Sequence, residues 1–277
     1  MNFDLVFDPL FLRPFLTGLV FAVLLPLLGC YLRLREEWLA ALALAQMAAA
    51  GALLSLLTPL PLMAGGLAAA FAAVLLKNAF EGGRRGRQGA AYALLLLLGW
   101  GLSILLVSNL PLAERIGHAL FDGQLYFTEL AHLVAALVCA VVVLGLLVRL
   151  SPQLLQAHFF EDFFRSRGGS PRRIGLMFDF LVAAALALAT MSLGVMSAFA
   201  LIFVPPWLAW RHARSWRSSL VLAAGIGVAA YVLSFVLALV LDQPFGPLLA
   251  LVLVGLGLVE ALVEAIWQRL HEIVGTS

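Results

Sequence analysis

Nine apolar runs, most of them about 20 residues long, fill this sequence and leave little between them. A helix rising about 1.5 Å per residue needs that length to cross about 30 Å of hydrocarbon. The runs are Phe11–Leu32, Trp38–Leu57, Pro61–Leu76, Ala90–Ser108, Leu130–Val148, Ile174–Leu193, Val195–Trp207, Leu220–Leu241 and Pro247–Trp267. Residues 174–208 form one apolar block that would extend about 50 Å as a single helix. Gly194, in MSLGVM, is read as the break that makes two short helices of it.

Hydrophobic residues make up 64% of the 277 and charged residues 12%, against about 25% charged in soluble domains. A soluble fold of this size cannot hide so much apolar surface. The fold class is therefore all-α, a polytopic membrane helical bundle of about nine transmembrane helices, with eight as the other count the short runs allow. A net charge of +2 gives no reason to expect nucleic acid as a partner; membrane lipid is the surrounding medium. Cys30 and Cys139 lie inside apolar runs and read as packing residues. The start MNFDLVFDP is acidic where a cleavable signal peptide would be basic.

Basic residues set the topology, because cytoplasmic loops hold the excess of Arg and Lys. With the N-terminus outside, Arg33, Arg35, Lys77, Arg84, Arg85, Arg87, Arg149, Arg165, Arg167, Arg172, Arg173, Arg211, Arg214, Arg217 and Arg269 all fall inside, and only Arg13 and Arg115 near the other face. An odd span count then places the C-terminus in the cytoplasm. The expected location is the bacterial inner (plasma) membrane.

Two connections are longer than turns. The outer one, at about 109–129, holds a helix-like piece and a turn at Asp122-Gly123. The inner one, at about 151–173, contains QAHFFEDFFRSRGG, an aromatic and acidic cluster that stops at a glycine pair. Two readings are open for it: an amphipathic helix on the membrane surface, or a docking helix whose phenylalanines fill a groove on a soluble partner. The sequence contains no phosphate-cradling Gly-x-x-x-x-Gly-Lys-Ser/Thr run. Active transport through this chain therefore needs a separate ATPase or an ion gradient.

The stretch GVMSAFALIFVPPWLAWRHAR resembles the signature region of permease subunits in the zinc/manganese/iron uptake family of ABC transporters, with Gly194, Ala200, Leu201, Ile202, Val204 and Pro205 at matching positions. Gly246-Pro247 is similar to the family's Gly-Pro at the start of its last helix. LFDGQLYFTEL (Leu120 to Leu130) resembles its periplasmic Leu-Phe-Gly-Asp element, and Gly168 with Arg172-Arg173 its glycine and basic pair after the ATPase-coupling helix. The resemblance covers nearly the whole chain in the same order. It implies one transmembrane permease domain over 1–277, no enzymatic activity of its own and no resident cofactor. It further implies a homodimer, a solute-binding protein outside, and cytoplasmic ATP-binding subunits docked on Glu161, Asp162, Phe163, Phe164 and Gly168. The cargo it implies is a divalent transition metal or a metal-containing solute. A non-metal solute is the alternative within that class. A gradient-driven carrier, which would show inverted repeats and midplane ionisable residues, is the alternative outside it.

The departures from the family concern chemistry. Family members carry an aspartate and, four residues later, a histidine early in the second helix, a spacing that puts a carboxylate and an imidazole on one face. Aligned through Arg33, those positions are Ala40 and Leu44, which cannot bind a metal. Small residues recur every fourth position instead (Ala41, Ala45, Ala49; Ala40, Ala48, Ala52), so this helix is expected to lie among close neighbours or beside a pathway. Ala40, Leu44, Gln46 and Met47 are the pathway candidates, with Gln46 either bonded across helices or meeting cargo. On the outer side His118 with Asp122, and Glu129 with His132, have helical spacing for weak metal ligation, though such residues are more commonly solvated or ion-paired. Glu260 and Glu264 are expected to snorkel or pair with Arg269, and Asp179 to pair with Arg172 or Arg173.

Overall fold

The structure, a computed structural model, describes residues 9–81, 88–123, 125 and 128–275. Arg84, Arg85 and Arg87, together with the side chains of Asp122 and Arg269, lie outside the described residues. The described chain forms helices α1 (Pro9–Arg35), α2 (Trp38–Leu54), α3 (Leu62–Glu81), α4 (Gln88–Asn109), α5 (Pro111–Asp122), α6 (Leu130–Phe159), α7 (Glu161–Ser166), α8 (Pro171–Leu193), α9 (Val195–His212), α10 (Trp216–Leu241) and α11 (Phe245–Gly275). Eight of them are long and apolar enough to cross a membrane: α1 to α4, α6, α8, α10 and α11. Each covers one of the expected runs. The remaining run belongs to α9, whose 18 residues include Pro205, Pro206, Arg211 and His212. The prolines and the terminal charges leave it less apolar than the others.

Helices in lipid gain nothing from hiding apolar surface against one another, so close backbone approach must hold them together. The alanine-rich α2 achieves this on several sides. It lies against α3, α4, α8 and α9, and Ala40, Ala41, Ala45, Ala48, Ala49 and Ala52 are all buried. Gly51 of α2 faces Gly65 and Ala69 of α3 so closely that neither glycine has room for a side chain. On the other side a Cβ at Gly99 of α4 would stand 2.8 Å from the backbone carbon of Gln46. The small residues of α2 are thus the contact surface of the bundle's central helix.

Gly194 ends α8 with a φ of 86°, which is the break expected from the apolar block. The position is tight as well as turned. Gly123, at the end of α5 with a φ of 84°, packs directly against Leu193 and Gly194. Two glycines of the left-handed region therefore meet back to back and fasten the outer connection to the α8–α9 turn.

Substitution separates packing from helix propensity. Gly99→Ala is expected to lower stability by about 1–3 kcal/mol through overpacking against α2. Gly101→Ala, two residues along where a Cβ meets nothing within 4 Å, should be neutral or stabilise by about 0.5–1 kcal/mol. Thermal unfolding of the two variants in detergent gives the comparison.

Candidate functional site

The connection after α6 folds into a compact corner. α6 is 30 residues long, about 45 Å at the usual rise. Phe160, with φ −134° and ψ 57°, interrupts it before the single-turn helix α7, where Arg165 pairs with Glu161 four residues earlier at 2.6 Å. The aromatic cluster divides. Phe164 is buried, while Phe159, Phe160 and Phe163 point outward and are exposed. Asp162 is exposed, Glu161 half-buried, and the Arg167 guanidinium lies 4.7 Å over the Phe163 ring. Gly168 turns the chain at φ 79°, and Gly169 lies flat against the Phe164 ring with no room for a side chain. Ser170 then caps α8, its hydroxyl accepting from the Arg173 N–H at 3.4 Å. The expected short helix with a glycine stop is present. Behind it, a groove of about 510 Å³ is lined by Gln153, Gln156, Phe164, Arg167, Arg173 and Met177 among others.

Beneath this corner lies a group of charges that sequence reading misassigned. Asp179, two turns into α8, does not pair with Arg172 or Arg173. Its Oδ1 accepts from Arg35 at 2.7 Å and its Oδ2 from Lys77 at 2.8 Å. Arg35 also reaches Glu37 at 2.8 Å, and Lys77 Nζ stands 3.8 Å from the same carboxylate. The turn at Glu36, with a φ of 58°, brings Glu37 inward between α1 and α2. Two cations and two carboxylates from α1, the α1–α2 turn, α3 and α8 therefore neutralise one another in a buried space. Arg172 instead donates to the side chain and backbone of Asn78 on α3, at 2.9 and 3.0 Å. In the sequence, Lys77 and Arg35 stand out only as part of the basic pattern that suggests topology.

The pathway candidates sit together on α2 and are enclosed within the chain: Ala40, Leu44, Gln46 and Met47 are all at most 6% exposed. Gln46 Oε1 has no hydrogen-bond partner among the described residues. Of the outer-side pairs, His118 with Asp122 includes a side chain outside the described residues. Glu129 and His132 close a capping box at the start of α6, in which the Glu129 N–H donates to His132 Nδ1 at 3.3 Å, and His118 is exposed on α5. Among the described residues, no three His, Cys, Asp or Glu side chains converge as ligands would.

Residues 8–264 match the family model for the ABC 3 transport family. The chain belongs to the ABC 3 transport family. As an ABC 3 protein it is a membrane subunit of a transporter rather than the ATPase. Its fold is similar to that of PsaBC from Streptococcus pneumoniae, solved in complex with Fab, at a TM-score of 0.81 and 19% identity over 92% of both chains. It is also similar to an inward-facing transporter described as of the metal-chelate ABC type, at a TM-score of 0.77 and 18% identity over 95% of this chain and 88% of that one. No curated protein matches the sequence.

In this ABC 3 subunit the last helix is fastened to α9 by two ion pairs. Glu260 pairs with His212 at 2.8 Å and Glu264 with Arg211, while the side chain of Arg269, the partner expected for both, lies outside the described residues. Trp207 lies under Arg211 at 4.3 Å and Trp210 under Arg33 at 5.0 Å. The tryptophans thus surround the basic turn as an interfacial belt does. The acids sit near the end of a long helix, and their partners belong to a neighbour more than forty residues earlier in the chain.

The charge group makes a specific stability pattern. Asp179→Leu leaves Arg35 and Lys77 with Glu37 as their one remaining carboxylate in this group, a buried positive charge in excess, and should cost about 3–5 kcal/mol. Lys77→Met/Asp179→Leu leaves Arg35 with Glu37 and should recover most of that loss. Melting temperatures of the purified single and double variants measure the difference.

Proposed function

We propose that this chain is the permease half of a bacterial inner-membrane ABC importer that carries a divalent transition metal inside a chelate. Two copies form a homodimer with the pathway between them. Two cytoplasmic ATPases dock on Glu161–Gly168, and an extracytoplasmic solute-binding protein delivers the cargo. The observation that carries this reading is α7 itself. It is a short helix that exposes Phe163 beside the exposed Phe159 and Phe160 at the end of α6, held to α8 by Phe164 and Gly169, in a chain whose family supplies transport but whose sequence has no phosphate-cradling Gly-x-x-x-x-Gly-Lys-Ser/Thr run. Anchor residues of this kind fill a groove on a partner. Closure of the ATPases on ATP would then move α7 and α8 together and bias a two-state change of access.

The metal is proposed from the family resemblance and from the metal-chelate description of one structural neighbour. Ala40 and Leu44 offer no donor atoms, which favours a cargo whose coordination sphere is already filled. Of the four α2 positions, Gln46 alone presents a polar group. Its partnerless Oε1 is suited to accept a hydrogen bond from such a complex when the helices part.

Two measurements test the proposal. Element-resolved uptake in cells lacking the chain should show loss of one transition element, more strongly when it is supplied as a chelate than as the free ion. Unchanged uptake of every metal in both forms would remove the metal reading. The docking surface has its own signature. Phe163→Ala should abolish ATPase copurification with little change in melting temperature. Phe164→Ala empties a buried site and should cost about 3–5 kcal/mol of stability. Intact copurification with a stable Phe163→Ala variant counts against docking at α7.

A further inference from the structure

We infer that Lys77 is an exchangeable positioning contact that passes movement of the α7 corner to α2, trading Asp179 for Glu37 as α8 slides against α3. The inference rests on the reading of α7 as the ATPase docking segment.

The joint between α7 and α8 leaves no hinge. Gly169 N–H donates to the Phe164 carbonyl at 3.0 Å and Gly168 N–H to that of Arg165 at 2.9 Å. The Phe164 ring fills the space above Gly169. A push on α7 is therefore carried into α8. Asp179 lies eight residues beyond Pro171, about 12 Å along the helix axis. It is the point at which α8 is fastened to α1 through Arg35 and to α3 through Lys77.

Lys77 is bonded to one carboxylate and stands within a short slide of the other. Its Nζ is 2.8 Å from Asp179 and 3.8 Å from Glu37, so a slide of roughly the difference exchanges one partner for the other. Arg35 touches both carboxylates at 2.7 and 2.8 Å and holds whichever one Lys77 has released. No charge is left bare in either state, which is the condition for avoiding the large penalty of an unpaired buried ion. Packed helices with two discrete arrangements of this kind behave as switches rather than springs. A second polar tie between α8 and α3 in this corner, Arg172 to Asn78, is exposed, and water can replace it. Glu37 occupies the N-cap position of α2. Drawing Lys77 onto it therefore shifts the start of the helix that carries Gln46.

A zero-length cross-link on the unaltered, assembled transporter reads the exchange directly. Dicyclohexylcarbodiimide joins a carboxylate to a lysine in contact with it, and peptide mass spectrometry identifies the pair. Without nucleotide the Lys77–Asp179 link should dominate. With ATP held by a hydrolysis-deficient ATPase the Lys77–Glu37 share should rise several-fold, and equal shares in both states overturn the inference. Glu37→Gln provides the functional arm, since it leaves Lys77 on Asp179 and removes the alternative. Cargo moved per ATP should fall about tenfold, an ordinary coupling energy, while ATPase copurification persists. An unchanged ratio in assembled Glu37→Gln complex also overturns it, since a purely structural role alters the amount of complex and not the ratio. Failure of the ATPase to copurify with the wild-type chain would instead sink the docking reading, and the inference with it.

Discussion

Close backbone contact in a medium that offers no hydrophobic reward for association is the constraint on which this bundle depends. α2 meets it with alanine and glycine on every side, and its neighbours answer with Gly65 and Gly99 at the points of nearest approach. The consequence is a central helix that other elements touch through main chain more than side chain. Larger residues fill the core away from these close approaches, as Phe21, Phe178, Tyr231 and Phe235 do, and cover the outward faces of α6 and α11 as exposed leucines and valines.

A second requirement, that no buried charge stand alone, explains the lower corner. Arg35, Glu37, Lys77 and Asp179 are expensive to place where they are, and each is tolerable only because the other three are present. This joins α1, α2, α3 and α8 where the α7 corner meets the bundle. The corner is stiff for a different reason: Phe164 fills the one space that Gly169 leaves open. Burial of apolar surface holds α7, and ionic balance holds what lies beneath it.

What the sequence made legible follows from how local each signal is. Apolar runs, the Gly194 break and the short helix closed by Gly168 are written in neighbouring residues, and the structure has all three. The partners of Asp179 are not. Proximity in sequence suggested Arg172 and Arg173, whereas the real contacts lie 144 and 102 residues away, a separation that no helical period reports. The division of the phenylalanines was equally hidden, because a six-residue helix is too short for periodicity to show which side is buried. Glu129 and His132 had the spacing of ligands and the position of a cap. The α6 start uses them as a cap, since its first N–H groups need acceptors. The burial of Gln46 was expected, but the absence of a hydrogen bond to its Oε1 was not.

The back-to-back glycines at 123 and 194 give α8 a particular mechanical character. Its far end is pinned to the outer connection, and its near end is continuous with the phenylalanine corner. Between them runs a shaft of 23 residues, about 35 Å in length. A stiff lever anchored at both extremities cannot lean at one without leaning at the other. A displacement at the phenylalanine corner therefore reaches the Gly123–Gly194 contact along a single rod.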